Sequence, residues 1–267
     1  MAANNVPTGF EVTIEPAGYA VVSMVSEPVN TLSLDFWKGL TSILDACEAD
    51  PKVRGILLRS GLKRDVFTAG NDIKELYAPM TSGERYKDFW LSSNKFLARL
   101  YASPLVTVAA IRGACPAGGC CISMACDYRI MTENGHIGLN EVALGISVPK
   151  KWMELMSRII GGAATERLCL NAKLLSPREA LEVGLVNEVV PKAQLESTAA
   201  AVMQSMLKFP DSGRAVTKKA LRAEFSEGWI AYSHTEYQGA WKMLSSDAVT
   251  KALAGVLARL SGKKANL

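Results

Sequence analysis

Gly118 and Gly119 are the first candidates for chemistry. An apolar run from Val106 to Ile111 precedes them, and helical spacing begins at Ile122, so the pair falls where a strand turns into a helix. The first N–H groups of a helix lack intrahelical partners, and the macrodipole adds partial positive charge there. Glycine lets a polarised oxygen come close to that backbone. A plainer reading is that the pair only lets two elements cross tightly. The better-known glycine loops do not fit. A Walker loop needs Gly-Lys followed by Ser or Thr, whereas Gly118 is followed by Gly119 and Cys120, and the Gly-x-Gly-x-x-Gly dinucleotide pattern is absent. No Lys or Arg lies between Gly113 and Arg129, so a phosphate would lack its usual cation. An oxygen that starts neutral and gains charge during a reaction is the better guest.

Glu141 is the second candidate. It is the only charged residue between Glu133 and Lys150, and its neighbours are nearly all apolar. A carboxylate in such surroundings either finds a partner or takes a raised pKa, which is how a general base is tuned. The alternative is a surface glutamate in a loop. His136 reads as a loop or surface residue. Four of the six cysteines (Cys115, Cys120, Cys121 and Cys126) crowd the glycine segment; Cys47 and Cys169 complete the set. There is no Cys-x-x-Cys, and His136 and His234 are far apart, so no metal site is expected. Reduced, buried thiols are the expectation.

These groups must be held by a fold of some size. The 267 residues, 49% hydrophobic, can bury a large core. A net charge of +4 with interleaved signs argues against a nucleic-acid partner but suits a small anionic ligand. No apolar stretch approaches the roughly 20 residues that span a bilayer. The first residues resemble neither a signal peptide nor a transit peptide. Lys264-Ala265-Asn266-Leu267 resembles a C-terminal peroxisomal address, the other reading being a chance polar tail.

Alternation over Phe10–Glu15 predicts a strand, Pro16-Ala17-Gly18 a turn, and Tyr19–Val25 a second strand. A helix capped by Ser33 runs to about Asp50, and Val53–Arg59 is a buried strand. Phe67–Ala69 reads as a short strand meeting Gly70, with Asp72 capping a brief helix. A longer helix spans Ser82–Tyr101. After the glycines, Tyr128–Met131 is a strand, helices follow Pro149 and Gly162, and Ser176-Pro177-Arg178-Glu179 is a capping box. Val186–Val190 is a short strand. From Lys192 on the pattern is helical, with breaks at Pro210, around Ser226-Glu227-Gly228 and near Ser245. The expected organisation is an α/β core over 1–195 and a helical region over 196–267, whose Trp229, Tyr232, Tyr237 and Trp241 pack on the chain itself or on another subunit.

Taken together, Phe67-Thr68-Ala69-Gly70-Asn71-Asp72-Ile73-Lys74-Glu75, then Gly113-Ala-Cys-Pro-Ala-Gly-Gly-Cys, then Gly138-Leu-Asn-Glu141 through Gly145 and Leu181-Glu-Val-Gly184-Leu185-Val186, resemble the crotonase (enoyl-CoA hydratase/isomerase) superfamily over about Phe10–Val190. The resemblance implies an α/β spiral of ββα units with a C-terminal helical trimerisation region, homotrimers or dimers of trimers, and acyl-CoA thioester substrates. It implies an oxyanion hole made by the N–H groups of Asn71 and Gly118, with Ala69, Gly70, Asp72, Ile73 and Ala117 along the substrate. Lys74 would be a phosphate partner, and Asn140 would orient the acid.

Hydratases of the superfamily resemble one another in carrying one glutamate two residues after the glycine pair and another at the Glu141 position; here the first position is Cys121. The pattern is closest to the mitochondrial-type 3,2-enoyl-CoA isomerase branch, which implies double-bond migration from 3-enoyl-CoA to trans-2-enoyl-CoA in β-oxidation, by Glu141 alone. No cofactor is implied beyond the coenzyme A of the substrate. The alternatives are another crotonase reaction (weak hydration or thioester hydrolysis) and non-catalytic acyl-CoA binding. The compartment expected from the tail is the peroxisome, with the mitochondrial matrix as the alternative.

Overall fold

The computed structural model describes residues 6–262. Its centre is a six-stranded sheet in the order β1 (Phe10–Glu15), β2 (Tyr19–Met24), β3 (Gly55–Ser60), β4 (Val106–Pro116), β5 (Tyr128–Gly138) and β6 (Glu188–Val190). The first pair is an antiparallel hairpin and every later pair is parallel. Parallel sheets are covered on both faces, so their strands become continuous apolar runs; all six residues of β2 are buried.

Alternate residues of the strands feed two cores. Ala20, Val22, Met24, Ile56 and Leu58 face the larger one, beneath α1 (Leu34–Ala49) and α3 (Gly83–Ala102). Tyr19, Val21, Leu57, Val106 and Val108 face the smaller one, closed by Leu195, Ala199, Met203 and Leu207 of α8 (Leu195–Leu207). Between these lie α2 (Ile73–Leu76), α4 (Gly118–Ala125), α5 (Lys150–Ile160), α6 (Gly162–Leu170) and α7 (Pro177–Glu182). The chain ends in α9 (Asp211–Leu244) and α10 (Asp247–Gly262). The helix starts at Ser33, Asp72 and Ser176 follow the expected caps, and Ser82, expected only as a helix start, caps its helix as well. Ser33, Asp72 and Ser82 accept backbone N–H groups, and Ser176 with Glu179 forms the complete capping box.

Three local expectations are corrected. Residues 67–69 form no strand; Val66 makes a single bridge to Ala114, and the Phe67 and Thr68 N–H groups both donate to Ala114 O (2.9 and 3.3 Å). The strand expected over Tyr128–Met131 runs on to Gly138, because Gly135–Gly138 pair with Gly113–Pro116 beyond a register shift at Ile111/Gly113. The break near Ser226-Glu227-Gly228 is absent, since α9 runs unbroken for 34 residues. A glycine in a helix costs about 1 kcal/mol, and contacts with α3 offset it. Ser226 donates to Ala98 O at 2.8 Å, and Phe225 and Trp229 lie in the large core.

The aromatic residues of α9 pack within the chain. Trp241 stacks on Tyr86 at 5.5 Å, and Trp229 Nε1 donates to Asn94 Oδ1 at 2.8 Å, an oxygen that also accepts Trp152 Nε1 at 3.2 Å. One buried amide thereby joins α3, α5 and α9.

The end of α4 is fastened to α9 by charge. Asp127 accepts Lys218 Nζ (2.8 Å), Arg222 Nη1 (2.7 Å) and the Thr107 N–H (2.9 Å), and Lys218 is only 7% exposed. Burial pulls the Lys218 pKa down, and Asp127 holds it up. Removing one partner of a buried ion pair typically costs about 3–5 kcal/mol, because the other charge is stranded. Asp127→Ala is therefore expected to lower the unfolding free energy measured by urea titration by that amount; a change under about 1 kcal/mol would mean that water already satisfies the two cations.

Candidate active site

The turn between β4 and α4 builds one wall. Ala117 adopts φ +51°, and its N–H donates to Gly138 O at 2.8 Å, which binds the turn to the end of β5. No side chain caps α4, so the N–H of Gly118 at its first position has neither an intrahelical nor a capping side-chain partner. Space beside Gly118 is small. A Cβ there would lie 2.9 Å from both Asn71 Oδ1 and Leu32 Cδ1.

The second wall is the segment Ala69–Asp72. Gly70, at φ +87°, lies against Pro116 O and Ala117, with Gly118 N 3.9 Å from where its Cβ would be. Leu32 bridges Asn71 in parallel: Leu32 N donates to Gly70 O (3.0 Å) and Asp72 N to Leu32 O (3.1 Å). A parallel bridge uses the groups flanking Asn71, so the N–H of Asn71 itself points away from Leu32. Thr68 stiffens the approach, accepting Gly70 N at 3.0 Å and donating to Asn30 O at 2.6 Å. Below it, buried Glu75 accepts the Leu34 N–H (3.1 Å) and grips Arg85 with both oxygens (2.7 and 2.8 Å).

Glu141 opens a 3-10 turn, Glu141–Leu144, closed by Gly145 in the left-handed region. It follows Gly138, the residue bonded to Ala117, by three positions. Its side chain is inside: the residue is 5% exposed, and both carboxylate oxygens are buried without a hydrogen-bond partner among the described residues. Burial pushes its pKa up to about 7, opposed only by the dipole of its own backbone N–H. Burial raises the thiols of Cys120, Cys121 and Cys169, and the charge of Glu141 adds to each, so the carboxylate lies within electrostatic reach of α4 and α6. The loop is backed by α10, where Ala252 Cβ would stand 3.2 Å from a Cβ on Gly145.

Gly70 and Asn71 on one wall therefore lie against Ala117 and Gly118 on the other. Asn140 is half-buried, and its amide makes no hydrogen bond to the Glu141 carboxylate. Asp72 caps α2 through Lys74 N (2.9 Å), Ile73 packs on the large core, and Lys74 and Ala69 are exposed. His136 is exposed on β5. All six cysteines are free and buried. Among the described residues no group of three His, Cys, Asp or Glu could hold a metal ion, and no helix is long and apolar enough to cross a membrane. A surface depression lined by Arg167, Asn171, Lys173, Glu179 and Glu182 contains none of the expected site residues. Sequence reasoning missed Leu32 and the thiols that feel the charge of Glu141. Leu32 carried no signal, whereas Cys120 and Cys121 were visible only as an unexplained cysteine cluster.

Residues 15–261 match, as one stretch, the family described as enoyl-CoA hydratase/isomerase. The chain belongs to that family. Within it, the mouse protein named mitochondrial enoyl-CoA delta isomerase 1 is 38% identical over 251 residues, 93% of this chain and 86% of that one. The human protein of the same name is 38% identical over 258 residues, 95% and 84% of the two chains. The crystal structure of human mitochondrial delta3-delta2-enoyl-CoA isomerase superposes with a TM-score of 0.92 at 37% identity, covering 96% of this chain and 99% of that one. A Bacillus halodurans enoyl-CoA hydratase, at 24% identity and a TM-score of 0.85 over 93% and 100% of the chains, shares the fold. The family fold expected from the motifs is thus the one observed, an α/β sheet with helices at its C-terminal end.

Proposed function

We propose that this chain is a 3,2-enoyl-CoA isomerase that moves the double bond of a 3-enoyl-CoA to the trans-2 position, with Glu141 as its single acid–base group. One observation carries the reading: a carboxylate that is buried, without a hydrogen-bond partner among the described residues and pushed up to a pKa of about 7, lies within electrostatic reach of Cys121, the position where a hydratase of the family would hold a second carboxylate. Adding water across a double bond uses two positioned carboxylates. Shifting the bond needs one. The similarity to the two mammalian isomerases and to the human isomerase structure supports the same reaction.

In the mechanism, the thioester oxygen lies on the N–H groups of Asn71 and Gly118. Ionised Glu141 takes the C2 proton, and the C–H electron pair passes into a dienolate whose negative charge sits on that oxygen. Glu141 then returns the proton to C4, and the pair moves back to leave a C2–C3 double bond. No electrons are gained or lost, so the step itself needs no group beyond the protein and the thioester. Asn71 and Gly118 act where charge develops, in a dry site where such donors are strongest. The Ala69–Ile73 backbone and Ala117 run along the coenzyme A, and Lys74 meets its phosphates.

The direct test compares two rates on one preparation: conversion of 3-hexenoyl-CoA and hydration of 2-hexenoyl-CoA. Isomerisation is expected to exceed hydration by at least about 10²-fold, the scale of one missing general acid–base group. Faster hydration, or thioester cleavage, would replace this reading with the other crotonase reactions; binding without turnover would leave only a carrier.

Assembly and compartment belong to the same proposal. Exposed Leu170 on α6, Leu181 on α7, and Val216 and Leu221 on α9 supply apolar surface for trimers or dimers of trimers. The mammalian relatives carry mitochondrial names, which fits the matrix. The peroxisomal expectation rests on Lys264–Leu267, outside the described residues.

A further inference from the structure

The proton shuttle and the two backbone donors leave one polar atom of the site unexplained. Asn71 Oδ1 is buried and has no hydrogen-bond partner among the described residues. Its backbone is fixed on both sides by Leu32, and the oxygen stands 2.9 Å from where a Cβ on Gly118 would be. It therefore borders the same turn whose N–H is assigned to the oxyanion. Buried acceptors are seldom left unpaired, since the cost is about 1–3 kcal/mol. An acceptor kept there in the free protein points to a donor on the ligand.

A 3-enoyl-CoA offers few donors near that spot. Its acyl chain and thioester carry no N–H or O–H. The nearest donor is the amide N–H of the pantetheine arm, two methylenes beyond the thioester sulfur. With the carbonyl oxygen in the hole, the sulfur is one bond from the carbonyl carbon, which brings that amide to the same wall. We propose that the Asn71 side chain accepts a hydrogen bond from this N–H, so that one residue grips the thioester from both sides: backbone N–H to the carbonyl, carboxamide oxygen to the arm. This assignment rests on the acyl-CoA reading above and extends it to a side chain. It makes Asn71 a determinant of specificity for thioesters carrying an amide at that distance.

The test uses the full chain and two small substrates, the 3-hexenoyl thioesters of N-acetylcysteamine and of 2-acetoxyethanethiol. These differ only in having N–H or an ester oxygen at the position in question. The wild-type chain is expected to prefer the amide by about tenfold in kcat/KM, the scale of one hydrogen bond. Asn71→Ala, which keeps the backbone N–H, should lose that preference and turn over the two substrates alike. The substrate ratio of the wild type stands even where the variant folds poorly, and a wild-type ratio near one overturns the proposal. So does a variant that keeps the wild-type ratio. A variant that slows both substrates equally also overturns it, since the carboxamide would then act on the carbonyl oxygen. A wild-type chain that isomerises neither thioester, nor 3-hexenoyl-CoA, would instead fail the functional reading itself.

Discussion

Glu141→Gln is expected to lower isomerisation by at least about 10²–10⁴-fold, the usual worth of a positioned general base, while acyl-CoA still binds. The amide keeps the shape of the side chain but cannot take the C2 proton. In the wild type only the ionised acid is active, so kcat/KM should rise with pH through about 7 and level off above it. Stability should move the other way. The folded pKa of about 7 lies above the ordinary value of 4.5, so the native state holds the proton more tightly than the unfolded chain does. The favourable contribution is complete below about pH 4.5 and is lost as pH rises through 7. The difference integrates to roughly 3 kcal/mol at pH 8. Glutamine never ionises, so the variant should be more stable than wild type at pH 8 by up to that order, with the gap closing toward pH 5. Urea unfolding at both pH values, beside a pH–rate profile, checks the two halves together. Near-normal turnover by Glu141→Gln would remove Glu141 from the chemistry.

Gly118→Ala carries the second large effect, an expected fall in kcat of about 10²–10³-fold, comparable to losing one oxyanion donor. The added methyl would meet Asn71 Oδ1 and Leu32 Cδ1 at 2.9 Å each. Leu32 is fully buried and bridged to Asn71, so the strain falls on the separation of the two walls. Both donors remain in the chain, but they no longer converge on one point. Gly118 does not occupy a left-handed conformation, so the substitution strains contacts rather than the backbone. The outcome to measure is a collapsed kcat in a protein whose melting temperature shifts by only a few degrees. Full activity would show that the oxygen of the substrate is held elsewhere.

Much of this arrangement was legible in the residues themselves. Caps at Ser33, Asp72 and Ser176 mark helix starts because short polar side chains satisfy orphan N–H groups locally. The isolation of Glu141 among apolar neighbours signalled a buried acid for an equally local reason. What stayed hidden depends on distant partners. The strand read over Tyr128–Met131 reaches Gly138 only because Gly113–Pro116 and Leu175 pair with its outer half. Phe67–Ala69 reads as strand, yet its N–H groups go to Ala114 O and Val29 O and build no ladder. Gly228 reads as a helix break, but α3 supplies the packing that overrides it. The amide of Asn94, shared by two indoles 58 and 135 positions away, has no trace in any window of sequence.

The six thiols, all buried, carry one more consequence. Desolvation raises every one of them above its ordinary value, Cys47 and Cys169 to about 11, so at neutral pH hardly any thiolate exists and none lies at the surface. An alkylating reagent added to the native enzyme has to wait for the chain to open. Three of those sulfurs (Cys115, Cys120 and Cys121) flank the strand-to-helix turn and a fourth, Cys169, feels the charge of the acid, so their labelling rate works as a clock for the opening of the proposed catalytic centre, read without attaching any probe.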